Sequence, residues 1–390
     1  MNSVQLARRE RRAIALIALA VILLGVAGVI YLHSTTPSAP NSTASNPVDR
    51  NLISANPAAY DFITSTAGWA LVNETNGPPS NVARFWIFGS TDGAKHWHQQ
   101  LTGQSGITGL SSHSIQFIDA SRGFVFVGGA PDQLYRTDDG GAHWGSLHLP
   151  APGVTDVAFT DATNGWLLSA TQASAIPNSP FGGPFRLYAT TDGGFTWNRL
   201  PDSPPDASVG AFRNATEAWM GGLGFGRPFV YVSSDAAQTW HPQYLPPPPG
   251  QTWDSSPSGG GQILLPSTVN LLPGSGVVAG VTNGGEQYLF TSFDGGKTWQ
   301  FVPAAPGSVA YQDALHWWAL ARNNLFKSSN AGQSWTAVSH AVPLSISGMR
   351  VLDSEHAWGV TIEVGGYGLV VTSDSGQRWT KARVPRPDQP

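Results

Sequence analysis

The chain has 390 residues, of which 41% are hydrophobic, 11% aromatic and 12% charged, which excludes a charge-rich disordered chain and a nucleic-acid-binding polycation. Its 45 Gly and 30 Pro show no period-three repeat, so collagen is excluded, and 15 Trp exclude a low-complexity linker protein. The net charge is −4 and Cys is absent, so a basic nucleic-acid surface, disulfides, thiol nucleophiles and an N-terminal lipid-modified Cys are not expected.

The N-terminal segment predicts a membrane anchor. Residues 13–32 are uncharged, and as a helix rising about 1.5 Å per residue they span roughly 30 Å, the thickness of the hydrocarbon core. Four Arg precede this run and no Lys or Arg follows before Arg50, so residues 1–12 are predicted to be a cytoplasmic tail. A cleaved signal peptide is the alternative, although its apolar region is usually shorter. Residues 33–56 are rich in Ser, Thr, Pro and Asn and predict a flexible linker, with the rest of the chain outside the cell membrane.

A motif, S/T-x-D-x-G-x-x-W, then recurs seven times, most clearly as TTDGGFTW at residues 190–197. An Asp carboxylate in such a motif accepts hydrogen bonds from a tight turn, Gly supplies a positive φ, and Trp buries a large ring. Each copy is therefore predicted to be a turn between antiparallel strands. The Asp position is occupied by Asp92, Asp139, Asp192, Asp235, Asp294, Asn330 and Asp374.

A second signature, aromatic-x-D-x-x-x-G-W, precedes the motif in each unit, as in FTDATNGW at residues 159–166. About four short strands fit into one unit, and seven units fill residues 57–386. Four-stranded sheets arranged radially bury both faces of each sheet and leave only short edges. The sequence therefore predicts an all-β, seven-bladed β-propeller.

These repeats resemble the Asp-box repeats of sialidases, sortilin-type receptors, xyloglucan-degrading hydrolases and the photosystem II stability and assembly factor family. Both signatures in one seven-unit ring are most similar to the last of these. The resemblance implies a propeller that helps to mature a membrane complex, with an Arg-rich patch against a membrane-protein partner. Because the Asp-box recurs across unrelated activities, it predicts the fold more strongly than the function.

The two signatures should share one face of the propeller, since they occupy the turns between strands 1 and 2 and between strands 3 and 4. We call this the motif face. The connections between strands 2 and 3 and between successive units form the opposite, variable face. Extra residues fall there, at 73–83, 171–184 and 241–267. Loops on a rigid scaffold often carry binding residues, and functionless insertion is the alternative.

Candidate binding residues of the variable face are four Arg, one Glu and three aromatic residues. The Arg are predicted to lie near the mouth of the central channel, where guanidinium groups bind carboxylates by paired hydrogen bonds. Solvated or strand-paired Arg, and ordinary aromatic packing, are the alternatives. The candidates are Arg84, Arg186, Arg227, Arg322, Glu286, Trp253, Phe225 and Tyr367.

An enzyme is the minority hypothesis. The F/Y-R-I-P motif of sialidases is absent, and the chain is long enough for only one of the two propellers of a xyloglucanase. Five acids outside the signatures leave a glycoside hydrolase or a glycan-binding propeller as alternatives. No catalytic residue, metal ligand set or cofactor motif is predicted. The main prediction is a membrane-anchored module that binds a membrane protein or complex. The five acids are Glu74, Asp132, Asp254, Glu286 and Glu363.

Overall fold

The computed structural model describes residues 55–74, 82–106, 113–170, 185–205, 207–222, 224–225, 227–253, 263–283, 286–339, 342, 346–363 and 366–387. Within these ranges the chain forms 29 strands in seven sheets and no helix. The predicted all-β, seven-bladed propeller is confirmed. The strands are β1 (Ala55–Phe62), β2 (Gly68–Glu74), β3 (Val82–Ser90), β4 (His98–Gly106), β5 (His113–Phe117), β6 (Gly123–Val127), β7 (Gln133–Thr137), β8 (Gly145–Leu147), β9 (Val154–Phe159), β10 (Gly165–Ala170), β11 (Phe185–Thr190), β12 (Asn198–Arg199), β13 (Ala207–Phe212), β14 (Ala218–Gly222), β15 (Gly224–Phe225), β16 (Phe229–Ser233), β17 (His241–Tyr244), β18 (Ile263–Leu271), β19 (Val277–Asn283), β20 (Glu286–Ser292), β21 (Gln300–Val302), β22 (Ser308–Tyr311), β23 (Trp317–Ala321), β24 (Asn324–Ser328), β25 (Thr336–Ser339), β26 (Ile346–Val351), β27 (Ala357–Glu363), β28 (Gly366–Thr372) and β29 (Thr380–Ala382).

Each blade is an antiparallel sheet of four strands that follow one another in the chain. The exception is the fifth blade, where β15 joins β18, β19, β20 and β21. First strands of neighbouring blades contact each other, as β1 does β5 and β22 does β26, so the first strand is innermost. The predicted tail and anchor at residues 1–32 lie outside the described residues, as does the linker up to residue 54. None of the described segments is a helix of the length and apolarity that a bilayer crossing needs.

The aromatic and Gly-Trp positions of the second signature form the joints between blades. The ring of Phe117 stacks on Trp69 of the preceding blade, with ring centroids 3.5 Å apart. A Cβ at Gly123 would come within 2.5 Å of the Phe117 ring, so only Gly leaves room for the ring at this distance. In the fourth blade Ala218 stands at this Gly position, and the rings of Trp166 and Phe212 lie 4.7 Å apart.

The repeated motif closes each turn between strands 3 and 4 by a fixed set of hydrogen bonds. In the third blade Asp192 Oδ1 accepts from the Thr190 hydroxyl at 2.8 Å and from the Thr196 backbone N–H at 2.9 Å, and Asp192 Oδ2 accepts from the Thr196 hydroxyl at 2.6 Å. The fourth and fifth positions have positive φ in every copy, including Ala236 and Ala237 at 58°. The spacing of the motif is therefore set by two consecutive residues in the left-handed conformation, which Gly adopts most easily.

The two turns of one blade are bonded side by side. The N–H of Gly193 in the motif donates to the carbonyl of Thr163 in the turn between strands 1 and 2, at 2.7 Å. Asp161 Oδ1 in that turn accepts from the backbone N–H groups of Thr163 and Asn164 at 2.8 and 2.9 Å. The same link between turns occurs in the first, second, fourth, sixth and seventh blades. These bonds explain why neither signature tolerates insertion.

The ring closes without exchanging a strand between its first and last blades. Ala55, at the start of β1, pairs with Glu74 of β2, so the first blade holds its own innermost strand. The segment after β29 instead crosses to the first blade. There the Arg383 carbonyl accepts from Trp97 Nε1 at 2.9 Å, and the Arg383 N–H donates to the Ala94 carbonyl at 3.3 Å.

Candidate functional site

The four candidate Arg lie on one face of the ring, in four different blades. Each stands where the second strand of its blade leads into the third, opposite the motif turns. No hydrogen bond or ion pair between described residues joins one of these Arg to another. The variable face therefore presents separate cations, distributed over blades one, three, four and six. They are Arg84, Arg186, Arg227 and Arg322.

Arg84 is engaged with a carboxylate of its own blade. Its Nη2 lies 3.0 Å from Glu74 Oε1, its Nε donates to Glu74 Oε2 at 3.3 Å, and its guanidinium carbon lies 5.4 Å from the centre of the Trp86 ring. Hydrogen bonds from the Arg84 side chain lower the pKa of Glu74. The charge of Arg84 is thus partly compensated, and its side chain is held against the sheet.

The other three Arg form no ion pair with any described carboxylate. Arg227 is exposed and lies over the ring of Tyr244, 4.5 Å from its centre. Arg322 is exposed and has φ 54° in the tight turn between β23 and β24. Arg186 is half-buried in β11, opposite Ser169 of β10. These side chains leave guanidinium donors for a partner.

The loop of the fourth blade reaches the inner edge of the fifth. Gly224 and Phe225 form β15, which pairs with Leu264 and Ile263 of β18, the innermost strand of that blade. This contact brings the connection that carries Arg227 to the channel side of the variable face. The side chain of Phe225 lies outside the described residues. So does that of Glu286, whose backbone opens β20 opposite Asn283.

The two remaining aromatic candidates have different surroundings. Trp253 donates from Nε1 to the Leu245 carbonyl at 2.9 Å, and its ring lies 6.2 Å from those of Tyr288 and Phe290. It packs in the core between the fourth and fifth blades. Tyr367 instead lines a cleft between the seventh and first blades, at the end of β28 that reaches the variable face.

This seam cleft has a volume of about 430 Å³. Its walls come from β1 of the first blade and from β26, β27 and β28 of the seventh. Arg350 is the charged residue of its lining, and the remainder is apolar or aromatic. The residues that define the cleft are Tyr60, Phe62, Gly348, Arg350, Trp358 and Tyr367.

Arg350 is held by a buried carboxylate. Its Nη1 contacts Asp61 Oδ1, and the Asp61 side chain is 2% exposed while that of Arg350 is 55% exposed. Asp61 Oδ2 also accepts the backbone N–H of Phe117 at 2.6 Å, so Asp61 links the seventh, first and second blades. Burial raises the pKa of Asp61, while the charge of Arg350 and the N–H of Phe117 act against this rise.

Sequence reasoning missed Asp61 and Arg350, although a signal for them exists. Asp61 directly precedes Phe62, which ends the first strand of the first unit, and Arg350 directly precedes Val351 at the equivalent position of the last unit. Opposite charges at equivalent positions of the units that meet at the seam predict such a pair.

Three of the acids that left a hydrolase open are engaged, each in a different blade. Glu74 binds Arg84, and Glu363 Oε1 lies 2.9 Å from Lys381 Nζ. Asp132 accepts the backbone N–H groups of Gly129 and Val154 at 2.9 and 3.0 Å. The remaining two, residues 254 and 286, have side chains outside the described ranges. The described part of the chain holds no group of three His, Asp or Glu suited to a metal ion.

Comparisons with known proteins agree with this architecture. The chain is 23% identical over 284 residues to the photosystem II assembly lipoprotein Ycf48 of Synechococcus sp. (strain CC9902), covering 68% of this chain and 73% of that protein. It is 25% identical over 287 residues to the photosystem II stability/assembly factor HCF136, chloroplastic, of Arabidopsis thaliana, covering 68% of this chain and 66% of that protein. The resemblance to this assembly-factor family is confirmed. No protein-family model matches the chain.

Solved structures share the fold at low identity. A structure of Ycf48 bound to a D1 peptide has a TM-score of 0.53 at 16% identity, covering 83% of this chain and 94% of that one. Ycf48 from Cyanidioschyzon merolae has a TM-score of 0.51 at 15% identity, covering 83% and 96%. A Mycobacterium tuberculosis puromycin-hydrolyzing peptidase has a TM-score of 0.56 at 12% identity, covering 91% and 57%. The same propeller thus occurs beside different activities, so function has to be argued from the site.

Proposed function

We propose that this protein is an assembly-factor-like propeller that binds a subunit of a membrane-protein complex through its variable face. Residues 13–32 anchor it in the cell membrane and the propeller lies outside the cytoplasm. The repeated turns are Asp-box turns, which the hydrogen bonds of Asp192 support. The observation that carries the proposal is the set of three Arg on this face that form no ion pair with a carboxylate in the described part of the chain. The relation to Ycf48 and HCF136 over two thirds of the chain supports the same role.

The direction of the first strand determines which face turns toward the anchor. Ala55 begins β1 beside Glu74, the last residue of β2, so the N-terminal segment joins the propeller at the variable face. Of the proposed flexible linker at residues 33–56, residues 33–54 precede β1, and a flexible chain of that length would have an r.m.s. span of about 25 Å. The variable face is therefore held close to the membrane, where the extracytoplasmic loops of membrane proteins are within reach.

The guanidinium groups indicate which surfaces they bind. Each offers five N–H donors, and none accepts a hydrogen bond, so the partner must supply acceptors, which carboxylates and carbonyl oxygens of a polypeptide provide. Arg227 over Tyr244 adds an aromatic surface beside the charge. Acidic loops with apolar neighbours fit this combination.

Chemical crosslinking in native membranes tests the proposal. The tagged full-length chain is compared with a variant carrying Arg84→Ala, Arg186→Ala, Arg227→Ala and Arg322→Ala, and recovered partners are quantified by mass spectrometry. A matched control removes four exposed cations of the motif face by Lys95→Ala, Arg122→Ala, Lys297→Ala and Arg378→Ala. We expect at least a tenfold loss of the main membrane-protein partner in the first variant and none in the control. Equal recovery from both variants would contradict the proposal.

A further inference from the structure

The seam cleft is closed at one end and open at the other. Phe62 and Trp358 stack with centroids 3.7 Å apart at the motif end of their strands, where they form the floor. Tyr367 lies at the opposite end, on the variable face. A volume of about 430 Å³ is near the lower limit of ligand pockets and accommodates one or two residues rather than a chain that passes through.

The polar groups of the cleft are hydrogen-bond donors. Arg350 uses Nη1 on Asp61, and its half-exposed guanidinium also carries the N–H groups of Nε and Nη2. The hydroxyl oxygen of Tyr60 is buried and has no hydrogen-bond partner among the described residues. Burial raises the pKa of Tyr60, so the hydroxyl keeps its proton. Nε1 of Trp358, which also lines the cleft, is a second buried donor without a partner among the described residues, so an acceptor placed in the cleft can satisfy both groups.

We propose that the seam cleft binds the C-terminal carboxylate of a partner polypeptide together with an apolar last side chain. This inference rests on the proposed protein-binding function and names a second contact for it. Arg350 pairs with the carboxylate, Tyr60 donates to it, and Trp358, Val360 and Leu369 surround the side chain. A chain end places one negative charge directly beside an apolar group, which matches one cation in an apolar wall.

Fluorescence anisotropy with labelled hexapeptides tests this inference. Peptides ending in Leu or Phe are prepared as free acids and as C-terminal amides, and are titrated with the full-length protein. We expect the free acid to bind at least tenfold more tightly than the amide. Arg350→Met should bind the free acid and the amide about equally, because methionine keeps the apolar stem and removes the N–H donors.

A second variant fills the cleft without changing its charge. A Cβ at Gly348 meets nothing within 4 Å, so Gly348→Leu is expected to fold and to place its side chain in the cleft. Gly145 in β8 is equally open and lies away from the seam, so Gly145→Leu is the matched control. Binding should fall at least tenfold in Gly348→Leu and stay unchanged in Gly145→Leu.

Equal affinity for acid and amide would overturn the inference, and so would binding that survives Gly348→Leu. Absence of any peptide binding, or displacement only by a fatty acid such as decanoate, would also reject a polypeptide chain end. Loss of the crosslinked partner from the four-Arg variant does not depend on any of these outcomes, so failure here leaves the proposed function standing.

Discussion

The ring of Phe62 lies parallel to that of Trp358, with centroids 3.7 Å and planes 6° apart. Phe62 ends the first strand of the first blade, and Trp358 is the second residue of the second strand of the last blade. The same aromatic contact joins Trp69 to Phe117 between the first two blades. The seam is therefore built like an ordinary joint, and the contact between Asp61 and Arg350 adds an ion pair beside it.

Trp358→Ala should open this seam. Trp358 is 2% exposed, and replacing a buried large aromatic residue by Ala costs about 3 to 5 kcal/mol through lost burial and a remaining cavity. Urea denaturation gives the change in the free energy of unfolding. Phe195, 63% exposed on the motif face, is the control, and Phe195→Ala should change stability by less than about 0.5 kcal/mol. Similar changes in the free energy of unfolding for both variants would show that this stack does not hold the first and last blades together.

Variants of Asp61 should differ in stability according to whether the new side chain keeps a hydrogen-bond acceptor. Asn keeps one acceptor oxygen, which can take the Phe117 N–H but leaves the contact with Arg350 unmade, and because burial raises the pKa of Asp61, a neutral group suits the site. Ala leaves the buried N–H of Phe117 unpaired, which costs about 1 to 3 kcal/mol. We expect Asp61→Asn to be the more stable variant by about that amount in urea denaturation. A more stable Asp61→Ala would contradict the bridging role of this carboxylate.

Acid stability should depend on the motif carboxylates. The hydroxyl and backbone N–H of Thr196 lower the pKa of Asp192 to about 2, and Asp235 and Asp294 are lowered to about 2 in the same way. Because these values lie below those of the unfolded chain, their contribution is present above about pH 4 and is lost as pH falls toward 2.

The combined variant Asp192→Asn, Asp235→Asn and Asp294→Asn removes these titrations while keeping an oxygen acceptor, as Asn330 does in the sixth blade. Its urea midpoint should fall less steeply between pH 4 and 2 than that of the natural chain. Parallel curves for the two proteins would refute this assignment.

Lys327 should make stability depend on pH at the alkaline end of the range. Burial lowers its pKa to about 8, although its Nζ lies 3.7 Å from the centre of the Trp318 ring and 3.1 Å from the Ser354 carbonyl. Between about pH 8 and 10.4 the unfolded chain binds more protons at this residue, so stability should rise with pH in that window. Lys327→Met should remove this rise, whereas Lys95→Met, at an exposed position, should retain it. A rise that persists in Lys327→Met would assign it to another group.

The repeated, local features were predictable from the sequence, and contacts between distant segments were not. Asp192 is bonded to residues within four positions, so its role follows from spacing alone. The pairing of β15 with β18 joins two blades through space, and no periodicity indicates it. Asp61 and Arg350 meet only because the ring closes. Sequence spacing likewise did not separate Trp253, which packs in a core, from Tyr367, which lines the cleft.

The central claim is that the variable face binds a membrane-protein partner while the motif face holds the blades together. Site-specific photocrosslinking tests it directly, with the crosslinking amino acid placed at Arg227, Arg322 or Tyr367 on the variable face and at Phe195 or Thr298 on the motif face. We predict crosslinks to the same membrane-protein subunit from all three variable-face positions and from neither motif-face position. Crosslinks to that subunit from Phe195 or Thr298, with none from the variable face, would contradict the account.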